Sequence, residues 1–269
     1  MPKLLTEPPP KPAILRLLAP FLLALSPTGL GGQPGATQAT ALLAQSLAAL
    51  THGTAVTGVK VQADANYVAG SDEETGSATL EALGDLESRV VLNLSGGQRT
   101  QIQNGQQAAS VGANGQQQIL PIHNSLNPAA WFFPALLVQG LIQDPSYSVA
   151  YVGQETLNGA SVQHLRATRT VPGKSDPATA ALLLELTSFD LYLDPATFLP
   201  TELAFNTHPN YNALQDVPIG IQLSGYQSQS GIMTPMQVQK FLQHSLLIDI
   251  SVTAVSINPS LPPTDFQIQ

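Results

Sequence analysis

Three features of the sequence predict a mainly β protein of the α+β class. Apolar and polar residues alternate over many short segments, Asn-Gly pairs separate several of these segments, and helical patterns are few and short. Alternation with a period of two is typical of antiparallel strands that bury one face and expose the other. About ten such strands in a row form a meander, which must curl into a barrel, a half-barrel or a sandwich.

Residues 1–36 have the pattern of a secretory signal peptide with a disordered lead. Lys3 and Lys11 lie in a proline-rich start, the run 13–25 is almost entirely apolar, and small residues follow it. This run is shorter than the roughly 20 residues that span a bilayer as a helix. We expect a periplasmic or secreted protein whose mature form has no transmembrane segment. The alternative is a disordered tail with a chance apolar stretch, which Pro20 interrupts.

The mature chain is expected to be a single domain, residues 37–269, that opens with a helix over 37–51. Leucines from Leu43 to Leu50 recur at helical spacing, and alanines complete the same face. His52-Gly53 then supplies a C-terminal stop signal. This helix is expected to pack by one face.

Strand patterns fill most of the remaining chain. The alternation is clearest in the segments 59–64, 189–194 and 248–254. Asn-Gly predicts hairpins because both central residues of a type I′ turn need positive φ. Such pairs occur at Asn104-Gly105, Asn114-Gly115 and Asn158-Gly159. A further turn over 194–197 links the strand at 189 to one around 201–205.

Two later segments carry helical patterns. Residues 127–143 open with Asn127-Pro128 as the N-cap and the first helical residue, and Pro134 is expected to kink or interrupt this helix. Residues 172–187 contain a second such start at Asp176-Pro177. The 127–143 helix is apolar on all sides, which predicts burial on more than one side.

Composition and motif spacing exclude several kinds of function. The net charge is −8 and the ten basic residues are scattered, which argues against nucleic-acid binding. The chain has no cysteine, and its five histidines lack metal-ligand spacing. The sequence has neither a G-x-S-x-G nor an S-x-x-K motif. We therefore predict no catalytic residues, no metal site and no cofactor, and a protein that is not an enzyme.

The 127–143 helix has more apolar surface than a one-sided cover over a sheet requires. Its aromatic and leucine residues are the candidate binding residues: Trp131, Phe132, Phe133, Leu136 and Leu137. One interpretation is an ordinary core helix that fills the open side of a curved sheet. The other is a movable lid over an apolar cavity.

The order of these elements resembles the periplasmic lipoprotein-carrier family, the LolA/LolB/RseB-like group, over residues 37–269. An early strand ends near Arg89 in ESRVVLNL, and the hairpin FDLYLDPATFLPTELAF is similar to the family's strand–turn–strand element. The C-terminal segment resembles the family's ending at Tyr226, Gly231, Pro235, Val255, Ile257, Asn258, Leu261, Asp265 and Phe266.

The resemblance implies a mainly β, α+β fold, with a strongly curved antiparallel sheet or unclosed half-barrel covered by short helices. It also implies an apolar cavity that holds acyl chains. In this family an arginine after an early strand helps to hold the lid closed, and Arg89 is the nearest match. Trp131, Phe132 and Phe133 lie where the lid helix would be.

The expected function is binding of an acyl chain, a lipid or a lipoprotein in the cell envelope. The rival is a non-catalytic envelope domain of the same fold, an interaction or sensor module whose interior is filled by side chains and whose partner is another envelope protein. An empty apolar cavity would favour the first function over the second.

We predict that the native mature protein begins between about Gly32 and Leu42, because a signal peptidase cleaves after the small residues that follow the apolar run. N-terminal sequencing of protein from its native envelope measures this. An intact Met1 in a cytoplasmic fraction would contradict the prediction.

Overall fold

The computed structural model describes residues 34–171 and 176–268. Most of the expected signal peptide and lead, residues 1–33, therefore lies outside the described residues, as do residues 172–175 at the start of the second predicted helical segment.

The described chain contains four α-helices and fifteen strands. The helices are α1 (Pro34–Thr51), α2 (Ile122–Ser125), α3 (Pro134–Gln143) and α4 (Pro177–Leu186). The first strands are β1 (Gly58–Ala69), β2 (Asp72–Leu83), β3 (Glu87–Leu94), β4 (Gly97–Asn104), β5 (Gln107–Val111), β6 (Gln117–Ile119), β7 (Tyr147–Leu157) and β8 (Ala160–Arg169). The later strands are β9 (Phe189–Leu193), β10 (Pro200–Thr207), β11 (Val217–Ser224), β12 (Gln227–Gln229), β13 (Ile232–Thr234), β14 (Gln237–Leu242) and β15 (Ser245–Ile257).

Thirteen of the described strands form one antiparallel sheet that does not close into a barrel. Their order is β6-β5-β4-β3-β2-β1-β15-β14-β11-β10-β9-β8-β7, while β12 and β13 form a separate ribbon. Only the pairing of β1 with β15 joins strands that are distant in sequence. The expected curved, unclosed antiparallel sheet with short helices is confirmed.

Alternation places the apolar side chains of this sheet on one face, which we call the concave face. In β9, Phe189, Leu191 and Leu193 are buried, and the residues between them are partly exposed. The expected alternation is wrong at one place in β15. A bulge in the pairing of β1 with β15 inserts one extra residue, so Ala254 is exposed although Ile250 is buried.

Helix α1 packs its apolar face against α3, β7 and β13. Leu43 and Leu50 are 3% and 0% exposed, as the helical spacing predicted. The helix ends at the predicted stop, because His52 and Gly53 both have positive φ, 48° and 83°. It starts at Pro34, three residues before the predicted boundary.

The three Asn-Gly pairs form different turns. Only Asn158-Gly159, between β7 and β8, has positive φ at both residues, 51° and 81°. At the other two pairs only Gly105 and Gly115 have positive φ. The hairpin positions were therefore predicted correctly, but the type I′ geometry holds only for the β7–β8 turn.

The C-terminal segment lies on the opposite, convex face of the sheet. Its short 3-10 turn, Pro263–Phe266, packs against β3 and β4, and Phe266 is fully buried. Asn104 Nδ2 donates to the Phe266 carbonyl at 3.2 Å. Within the described residues, no helix has both the length and the apolar character that a membrane crossing requires.

We predict that Asn158→Ala lowers the free energy of unfolding by about 1 kcal/mol, because a Cβ-bearing residue without a local polar group is strained at positive φ. Asn158→Gly is the matched control. It also loses the Asn158 Nδ2 to Glu202 Oε2 hydrogen bond of 3.2 Å, but it relieves the backbone strain. Urea unfolding of both variants measures the difference. Equal stabilities would show that φ at this turn carries no cost.

Candidate functional site

One connecting segment covers the open side of the sheet. The chain leaves one edge strand at the end of β6 and enters the other edge strand at the start of β7. The intervening residues 120–146 must therefore cross from one edge to the other, and they carry α2 and α3. We call residues 126–143 the crossing segment. It contains all five aromatic and leucine residues that the sequence predicted as binding candidates.

The crossing segment does not form the predicted helix over 127–143. Helix α3 begins at Pro134, the first helical residue, and Phe133 before it has a non-helical ψ of 87°. Proline cannot donate an intrahelical hydrogen bond, and it disfavours helical backbone at the preceding residue. Pro134 therefore starts the helix instead of kinking it. Residues 129–132 form a turn, and Phe133 N–H, which follows it, donates to the Ala130 carbonyl at 3.0 Å.

The predicted binding residues of the crossing segment all lie in the main apolar core. Their exposed fractions are 8% for Trp131, 3% for Phe132, 1% for Phe133, 1% for Leu136 and 2% for Leu137. Trp131 and Phe132 pack edge to face with ring centroids 5.5 Å apart. These side chains fill the space between α1, α3 and the concave face of the sheet.

Few polar contacts hold the crossing segment. Gln103, on the concave side of β4, donates to the carbonyl groups of Ser125 at 3.1 Å and Asn127 at 2.6 Å. On α3, Gln139 donates to the Val56 carbonyl at 3.0 Å. Both glutamines satisfy backbone carbonyl groups in a largely apolar contact, where an unpaired carbonyl would be costly.

Gly140 lets α3 pack closely against the turn between β2 and β3. A Cβ added at Gly140 would lie 2.6 Å from the Cβ of Asp85 and would overlap its carboxyl group. Burial raises the pKa of the Asp85 carboxyl, although nearby hydrogen bonds and Arg169 oppose this effect. Glycine is unfavourable inside a helix, so this position is explained by the close approach of Asp85 and not by helix propensity.

Arg89 lies on the convex face, away from the crossing segment. Its neighbour Val90 is in the core on the concave side, and Arg89 is directly opposite Glu81 on β2. Arg89 Nη1 lies 3.3 Å from Glu81 Oε2, and Lys60 Nζ lies 2.9 Å from Glu81 Oε1. The structure therefore places Arg89 in an ion-pair cluster and does not bring it to the aromatic residues that it was expected to hold.

A second charged cluster lies on the convex face at β8 and β9. His164 lies 2.8 Å from Asp190 and 3.0 Å from Glu155, and its ring stacks on Tyr192. Burial works to raise the pKa of Asp190, but hydrogen bonds from Arg166 and His164 outweigh it and lower the pKa. Within the described part of the chain, no three His, Cys, Asp or Glu residues are grouped so that they could hold a metal ion.

The structure adds Lys240, which the sequence analysis did not select. Lys240 Nζ lies 5.1 Å from the centre of the Trp131 ring. The signal was present in the sequence, because Val238, Lys240 and Leu242 occupy alternate positions of one strand and therefore share a face. Lysine on an otherwise apolar strand face is the feature that could have identified it.

Five clefts of the described residues have volumes between 260 and 410 Å³. None of these five is lined by Trp131, Phe132 or Phe133, and Leu136 lines the smallest of them. The largest of the five lie beside the β4–β5 turn and on β1, β2 and β15. In this conformation, the aromatic side chains of the crossing segment are buried in the main apolar core.

The comparisons with known proteins agree with the fold. No protein-family model matches the chain, and a comparison with curated proteins finds no match. Among solved structures, a putative outer membrane lipoprotein-sorting protein domain from Vibrio parahaemolyticus is similar, with 12% identity and a TM-score of 0.53. The match covers 86% of this chain and 97% of that one.

Two further structures show the same likeness. A LolA superfamily protein from Nitrosomonas europaea has 12% identity and a TM-score of 0.53, with 86% of this chain and 97% of that chain covered. A DUF1329 family protein from Desulfovibrio piger has 13% identity and a TM-score of 0.54, with coverages of 87% and 98%. The expected LolA/LolB/RseB-like fold is therefore confirmed.

We predict that Gly140→Ala lowers the free energy of unfolding by about 1–3 kcal/mol, because the added Cβ overlaps Asp85 in a packed contact. This would reverse the gain of up to about 1 kcal/mol that the change brings in an open helix. Thermal or urea unfolding measures it. In an Asp85→Gly background, which removes the obstructing side chain, the same change should be neutral or stabilising. A loss of equal size in both backgrounds would contradict the close contact.

Proposed function

We propose that this protein is a non-catalytic carrier or binding protein of the cell envelope that takes up an acyl chain of a lipid or lipidated partner. The chain would lie against the concave face of the sheet, in the space that the crossing segment fills in this conformation. The observation that carries the proposal is the placement of Trp131, Phe132 and Phe133. They cover the open side of an unclosed apolar sheet from a segment with few polar anchors.

The energetics of such an exchange are nearly balanced. Full exposure of three aromatic side chains costs about 5–9 kcal/mol, at roughly 1.5–3 kcal/mol each. An ordinary fatty chain gains on the order of 10 kcal/mol when its methylene groups leave water, at about 0.8 kcal/mol each. The closed crossing segment therefore competes with the ligand for the same apolar surface, and binding of modest affinity is expected.

Export is part of this proposal. Helix α1 starts at Pro34 and buries Ala39, Leu42 and Leu43 among the core residues. Cleavage after those residues would remove core side chains. We therefore place the proposed signal-peptide cleavage near the start of α1, at the N-terminal end of the expected interval.

A second candidate function is an envelope interaction or sensor module with a permanently filled interior. The observation that favours it is the burial of the crossing-segment residues without an empty cavity among the five described clefts. Such a module would contact an envelope protein and would not respond to lipids.

We predict that lauric acid produces a saturable change in fluorescence and raises the melting temperature of the protein. Trp131 is the single tryptophan of the chain, and a ligand that displaces the crossing segment must alter its surroundings. Ligand binding to the native state alone also stabilises it. Titration of fluorescence and of melting temperature measures both effects.

Two matched variants test where the chain binds. Phe133 and Phe266 are both buried, at 1% and 0% exposed, but Phe266 lies on the convex face. Phe133→Leu and Phe266→Leu should lose similar stability, while only Phe133→Leu should change the affinity for lauric acid. No saturable response of the wild type, or equal changes of affinity in both variants, would overturn the carrier proposal and leave the interaction module.

A further inference from the structure

Lys240 points from the middle of β14 toward the concave face of the sheet. Its direct cross-strand partners are Ile221 on β11 and Ile248 on β15. These isoleucines are 0% and 5% exposed and belong to the main apolar core. Directly opposite residues of antiparallel strands project from the same face. The Lys240 side chain therefore extends along the apolar surface that the proposed function assigns to an acyl chain.

The ammonium group of Lys240 has an aromatic neighbour but no anion. Its Nζ lies 5.1 Å from the centre of the Trp131 ring, a cation–π distance. Within residues 34–171 and 176–268, no carboxylate forms an ion pair with it and no acceptor forms a hydrogen bond with it. By contrast, four of the other five cations in the described residues contact a carboxylate: Lys60, Arg89, Arg99 and Arg166. The fifth, Arg169, lies over the Tyr147 ring at 5.8 Å.

The surroundings of Lys240 disfavour its charge. Desolvation by burial lowers the pKa of Lys240 to about 8. The residue as a whole is partly exposed, and displacement of the crossing segment would open its ammonium group to a ligand. An ammonium that is partly removed from water without a counter-ion leaves a favourable interaction unmade, which an anion at this position would supply.

The position of Lys240 also indicates the chemical class of a suitable ligand. The concave face beside Lys240 is apolar, and Trp131 covers the ammonium in the closed conformation. Consider a ligand with an apolar chain and one anionic end. Its chain would displace the aromatic side chains, and its anionic group would take the place of the Trp131 ring beside Lys240. A neutral amphiphile of the same length would gain only the first of these interactions.

We propose that Lys240 binds the anionic head group, a carboxylate or phosphate, of an amphiphile whose chain lies on the concave face. This inference rests on the proposed function and names the ligand class that it takes. In this proposal Lys240 fixes the polar end of the ligand, a role that the sequence analysis assigned to no residue.

The test compares lauric acid with dodecanol, which has the same chain length but no charge. A charge-assisted hydrogen bond predicts that wild-type protein at pH 7 binds lauric acid at least about tenfold more tightly than dodecanol. Lys240→Met should abolish this preference and bind both compounds with the affinity of the alcohol. Lys240→Arg should keep the preference. Competition against a fluorescent fatty acid measures all the dissociation constants.

Lys60→Met is the matched control, because Lys60 is a lysine on the opposite, convex face that pairs with Glu81. It should keep the full preference for lauric acid. Acetate and inorganic phosphate are added alone to separate a free anion from a head group. Neither ion should compete measurably, since both lack the apolar chain.

The possible results distinguish failure of the head-group inference from failure of the proposed carrier function. If both amphiphiles bind and Lys240→Met keeps the tenfold preference, the head-group inference is wrong and the proposed function stands. If neither amphiphile binds wild-type protein, the proposed function fails and the head-group inference fails with it. If acetate or phosphate competes as well as lauric acid, Lys240 is a site for small anions and not for an amphiphile.

Discussion

The structure depends on one constraint: an apolar sheet of thirteen strands that does not close must be covered on its concave face and protected at two edges. A barrel meets this requirement by pairing its edge strands, but here β6 and β7 remain apart. The chain meets it with a single connection that runs between these two edges and with α1, which packs on α3 and β7. Burial of the crossing segment is thus a consequence of the open topology.

Attachment of the crossing segment is mostly apolar, with a few directional contacts at its ends. The side chains of Gln103 and Gln139 donate hydrogen bonds to backbone carbonyl groups, and Gly140 allows close packing on Asp85. Apolar contacts are not directional, so an acyl chain can replace them without leaving polar groups unpaired. A segment held by a dense hydrogen-bond network could not be displaced at similar cost. This difference connects the packing of the segment to the carrier function that we propose.

The cations of the described sheet are not all paired with carboxylates. On the convex face, Lys60, Arg89 and Arg166 contact carboxylates and form local ion-pair clusters. On the concave face, Arg99 contacts Glu74, whereas the Lys240 ammonium has only an aromatic ring as its partner among the described residues. Paired charges near water contribute little to stability and need no ligand. An unpaired cation on an apolar surface has a free-energy cost that an anionic ligand can reduce. Lys240 is therefore a better candidate for a ligand contact than the paired Arg89.

The sequence by itself determined the local elements. Alternation located the strands, His52-Gly53 ended α1, and the aromatic segment was recognised as apolar on all sides, because these depend on neighbouring residues along the chain. The tertiary structure decided the features that depend on how strands pair and how elements pack. The extra residue in β15 exposed Ala254, Pro134 began a helix where a kink was expected, and the register placed Arg89 and Lys240 on opposite faces. A strand shows which residues share a face, but only the assembled sheet shows which face is covered.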